Sequence, residues 1–62
     1  MQVGDLVRIN EEEPIVWEEA QGQIGLVVAV TKRLFIPAAK VMVLGEVAEF
    51  DVDELEVISA NR

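Results

Sequence analysis

The sequence predicts an all-β fold, a five-stranded barrel forming one domain over residues 1–62, and three observations carry that expectation. The first is Gln21-Gly22-Gln23-Ile24-Gly25-Leu26-Val27-Val28-Ala29-Val30, where a glycine pair leads into an apolar, largely β-branched run. Glycine tolerates left-handed turns and close backbone approach, while valine and isoleucine favour a pleated strand, so the segment reads as a tight turn delivering a buried strand. The second is Val3-Gly4-Asp5-Leu6-Val7-Arg8-Ile9, a shorter turn-then-strand unit with a long loop after it. The third is Gly45-Glu46, a tight turn between two strand-like runs.

Taken in order, Leu6 to Ile9 form the first strand, opened by Gly4-Asp5 and stopped by Asn10-Glu11-Glu12-Glu13-Pro14. Three consecutive carboxylates repel one another and proline lacks an N–H, so that stretch is a solvated loop. Ile15-Val16-Trp17 is an apolar island within the loop, and Glu18-Glu19-Ala20-Gln21 has room for one short helical turn. Leu26 to Val30 make the second strand, whose lack of alternation implies burial on both faces or strong curvature. Thr31-Lys32-Arg33 and Leu34-Phe35-Ile36-Pro37 then read as a medium loop, the proline arguing against a central strand position. Lys40 to Leu44 form the third strand and Val47 to Phe50 the fourth, with Val47 and Glu49 on one face and Ala48 and Phe50 on the other. Asp51-Val52-Asp53-Glu54-Leu55 is expected to be a single 3-10 turn before a fifth strand at Glu56 to Ile58, and Ser59-Ala60-Asn61-Arg62 a frayed tail.

Composition narrows the function. With no cysteine and no histidine, disulfides and Cys- or His-based metal sites are excluded, and neither a metal nor another cofactor is expected. A chain of this length buries only about 60% of the surface it exposes when unfolded. Its 52% hydrophobic residues are therefore somewhat in excess, and a partner or another copy is expected to cover some of them. Twelve acidic residues against five basic ones give a formal net charge of −7. That sign opposes nucleic acid and anionic membrane surfaces and suits a basic or neutral protein partner. The N-terminal residues lack signal-peptide blocks and no apolar run reaches membrane-spanning length, so the expected location is cytoplasmic.

The order of strand, long loop, strand, medium loop, strand, hairpin, strand, helical turn and short strand resembles an SH3-like barrel over essentially the whole chain. The residues that carry the resemblance are Val3 to Ile9, Gly22 and Gly25, Gly45, and Val52-Asp53-Glu54-Leu55. Within that group, Gly22-Gln23-Ile24-Gly25-Leu26-Val27 is similar to KOW-type modules, which implies contact with RNA or a transcription complex. The early Val7-Arg8-Ile9 and late Val52-Asp53-Glu54-Leu55 are similar to the small barrel subunit on the reducing side of photosystem I. That subunit helps an acidic electron carrier dock, which needs a basic surface, and this chain carries the opposite sign at −7. Gly4-Asp5-Leu6-Val7 and Phe50-Asp51-Val52-Asp53-Glu54-Leu55 look like short SH3-like proteins of tailed phages, including cyanophages. This likeness implies a viral accessory or structural protein located in the host cytoplasm or the virion.

The candidate contact residues are aromatic, apolar and acidic. Trp17, the only tryptophan, is either a lid over the barrel end or an interface anchor. Leu34, Phe35 and Ile36 form either an exposed interaction patch or, through Phe35, a plug for the core; exposed, Phe35 would lie beside an edge strand open to another chain. Glu11, Glu12 and Glu13 offer electrostatic complementarity to a basic partner, against the plainer role of solubilising surface. With one tryptophan, two phenylalanines and no tyrosine, the aromatic groove of proline-binding SH3 domains is missing. No nucleophile–base pair, phosphate loop or calcium-loop spacing is present, so no catalytic residue is assigned and the chain is read as a non-enzymatic protein-binding module. A homo-oligomeric structural subunit and a KOW-type transcription or translation module are the alternatives.

Overall fold

A computed structural model of the chain describes residues 1–10 and 18–59. Five strands, β1 (Leu6–Ile9), β2 (Ile24–Arg33), β3 (Ile36–Val43), β4 (Glu46–Asp51) and β5 (Leu55–Ser59), form one sheet in the order β4-β3-β2-β1-β5. Every pairing is antiparallel. Two 3-10 turns, Glu18–Ala20 and Val52–Glu54, are the only helical elements among the described residues. The all-β expectation, the long first connection and the single helical turn before the last strand are thus all present.

The sheet cannot be flat. Its edges β4 and β5 lie four strand positions apart, roughly 19 Å in a flat sheet. Yet the chain leaves β4 at Asp51 and enters β5 at Leu55, a stretch that spans about 14 Å even when fully extended. Wound as the 3-10 turn Val52–Glu54 it reaches less far still. The sheet therefore coils until its two edges approach each other at that turn, although the described pairings include no β4–β5 ladder. Register shifts between Val27 and Ala29 and between Leu6 and Val7 mark β-bulges, which add twist and help the coiling. The Asn10 N–H donates to the Glu54 carbonyl at 2.8 Å, tying the end of β1 to the same turn.

The core fills the concave face. Val7, Ile9, Val27, Ala39, Val41, Val43 and Phe50, with Ala20 from the first 3-10 turn, make one buried cluster. Register explains the set, since Val27 lies opposite Val41 and Ala39 opposite Phe50, each pair projecting to the same side. Gly25 sits in this face opposite Val7, where a Cβ atom would lie 2.4 Å from Val41 Cγ1 and 2.9 Å from the Met42 carbonyl oxygen. Its role is close packing inside β2, whereas Gly22 belongs to the turn before it. Asp5, fully buried, accepts the Gln2 N–H at 2.9 Å and so holds the turn that opens β1.

Strands β2 and β3 are longer than the sequence suggests. Thr31-Lys32-Arg33 continues β2, and Ile36-Pro37 begins β3, so the expected medium loop is a two-residue turn, Leu34-Phe35. Pro37 does lie in an interior strand, but β4 has already ended there, its pairing starting at Ala38 opposite Asp51. By the alternation of an antiparallel ladder, the Pro37 nitrogen points away from β2 into that vacant side, where no N–H is needed.

Candidate functional site

The β2–β3 hairpin projects past the end of β4 and carries Leu34 and Phe35 at its tip. Both are at positive φ, 48° and 72°, the pattern of the type I′ turn that matches the right-handed twist of hairpin strands. That turn favours Asn-Gly, because a bulky side chain at positive φ is strained. Leu34 and Phe35 are 91% and 92% exposed, so core packing offsets neither the strain nor the hydration of their apolar surface. Ile36, half exposed, extends the patch into β3. Phe35 is therefore no plug for the core. β2 and β3 are interior strands, although beside the tip β3 runs past the last β4 pairing at Ala38.

The shaft beneath the tip is braced. Arg33 pairs with Asp51 and, at 3.6 Å, with Glu49, while the Thr31 hydroxyl donates to Glu49 at 2.7 Å. Hydrogen bonding and charge from Asp51 raise the already high pKa of the Arg33 guanidinium, with smaller help from Glu49 and Glu54. Ala38, flanked in register by Thr31 and Asp51, is fully buried. The cluster thus links β4 to the base of the projecting hairpin. The neighbouring cations are divided: Arg33 is engaged in this cluster, and Lys32 lies on the other face opposite Pro37.

Of the sequence candidates, Leu34, Phe35 and Ile36 are brought together as one surface. Trp17, Glu11, Glu12 and Glu13 lie outside the described residues. Among the described residues no group of three or more acidic side chains is arranged to hold a metal ion, and no helix is long and apolar enough to cross a membrane. What sequence reasoning missed is the outer face of the sheet, where Leu6, Leu26, Met42 and Val47 align; the alternation in β1 and β4 was a signal, but the unbroken apolar run of β2 hid it. Compared with protein-family models, curated proteins and solved structures, the chain matches none. Fold and site together define a small antiparallel β protein presenting an exposed apolar hairpin tip.

Proposed function

We propose that this chain is a non-enzymatic protein–protein interaction module that inserts Leu34 and Phe35 into an apolar recess on a basic or neutral partner protein. One observation carries the reading: two bulky apolar residues occupy a conformation they disfavour, at a place where they are almost wholly in water. Burial in a partner would recover the apolar transfer energy, and anchors of this kind dominate interface affinity. The net charge of −7 supports electrostatic steering toward a basic surface, with an on-rate that falls as salt rises. Trp17 and Glu11, Glu12 and Glu13 are the sequence candidates for the same contact. The phage-like resemblance extends the proposal to a small viral accessory or structural protein.

The test replaces the tip with the pair the turn prefers, Leu34→Asn with Phe35→Gly. Affinity capture with the wild-type chain supplies a partner, and calorimetry with that partner purified compares the two forms. A loss of about 2 kcal/mol or more, near 30-fold in Kd, is expected with the fold intact. Equal affinity for both forms would remove the tip from the interface and the proposal with it.

A further inference from the structure

The convex face of the sheet carries an apolar band separate from the hairpin tip. Val47 of β4, Met42 of β3, Leu26 of β2 and Leu6 of β1 are successive cross-strand neighbours, so their side chains line up across four strands. Each is between 38% and 52% exposed, and Ile24, two positions before Leu26 on the same face, is 53% exposed. The open face of an antiparallel sheet is ordinarily polar.

The charges beside the band distinguish it from the rest of the molecule. At one end Arg8 pairs with Glu56; at the other Arg33 pairs with Glu49 and Asp51, and Lys40 lies opposite Glu49. Each of these cations stands beside an acid of the same face, so the face is close to neutral on a chain whose total is −7. Other described acids lie off this face, Glu18 and Glu19 on the first 3-10 turn, Asp53 on the second and Glu46 opposite Val43, while Glu54 sits beside the Arg33 cluster.

We infer that this face is where a second copy of the chain docks, stripe against stripe about a two-fold axis. An isologous contact must be self-complementary, and a neutral, internally paired face with an apolar centre meets that condition. A basic partner, which the remaining surface suits, gains no charge attraction here. The band is only four side chains wide, roughly 14 Å across its strands, a small contact beside a standard interface of ~800 Å² per partner, so the dimer is weak and concentration-dependent. Repulsion between the two acidic bodies persists at a distance, and salt strengthens the dimer by screening it.

Sedimentation equilibrium of the full chain, from micromolar to millimolar concentration at low and high salt, tests this. The weight-average mass is expected to rise from 6.9 kDa toward twice that value, with tighter association at high salt. Met42→Thr with Leu26→Thr, which places strand-favouring β-branched residues there, is expected to weaken association at least about tenfold. Should that variant fail to fold, dilution of the wild type followed by amide chemical shifts serves instead, with changes expected at Leu6, Leu26, Met42 and Val47. A monomer throughout at high salt overturns the inference. So does association that the face variant leaves intact, or that Leu34→Asn with Phe35→Gly abolishes, or shifts confined to the tip.

Discussion

Leu34 and Phe35 place two bulky side chains at positive φ within one turn, at a cost to stability. A left-handed conformation costs about 1–2 kcal/mol for an ordinary L-residue, and here two such residues are adjacent. The Asn-Gly replacement should therefore raise unfolding free energy by about 1–2 kcal/mol, or roughly 5–10 °C in Tm, while it removes binding. Urea unfolding of both forms measures this, and a variant no more stable than the wild type would show that the turn is unstrained. Gly25 makes the opposite case, as a residue set by packing. Gly25→Ala drives a methyl group against Val41 and the Met42 carbonyl, and a loss of about 1–3 kcal/mol is expected from thermal unfolding. The glycine was legible as a demand for close backbone approach. The neighbour it serves was not, because cross-strand partners lie some sixteen residues away in β3.

At the level of elements, the strands that alternate were easiest to read. β1 and β4 send every second side chain to the core, and their sequences show it in Val7 and Ile9, and in Ala48 and Phe50. The β2–β3 hairpin was read too short at both strands because its turn has none of the usual residues. Leu-Phe carries no turn signal, and Lys32-Arg33 and Pro37 all resemble loop. Charge and proline are tolerated there because the hairpin has outgrown β4 and faces water. Pro37 also leaves this bare stretch of β3 without an outward N–H, which denies an incoming strand its first hydrogen bond. Pro37→Thr restores that donor. Faster aggregation at equal thermal stability is expected, read by light scattering on prolonged incubation; unchanged scattering would mean the side was never open to pairing.

The whole molecule is organised by a contact between strands far apart in sequence. β1 lies between β2 and β5, so Arg8 meets Glu56, a residue 48 positions later, while β2, β3 and β4 are joined by two-residue turns. No periodicity or turn signal announces such a pairing, and the sequence reading did not anticipate it. The coiling that brings the two sheet edges together follows from the shortness of the Val52–Glu54 turn, a constraint of length that residue patterns do not display.

That long-range ladder has a kinetic consequence. Closing a loop costs entropy that grows with its length, so the β2-β3-β4 meander is expected to form first and the β1–β5 ladder last. Val41→Ala, in the meander, should slow refolding, whereas Leu55→Ala, in the late ladder, should leave the refolding rate nearly unchanged and hasten unfolding. Stopped-flow measurements across denaturant separate the two, and slowed refolding of the Leu55 variant would reverse the order. In the native state β5 then behaves as a latch, the strand whose amides exchange with solvent soonest and whose release begins the opening of the sheet.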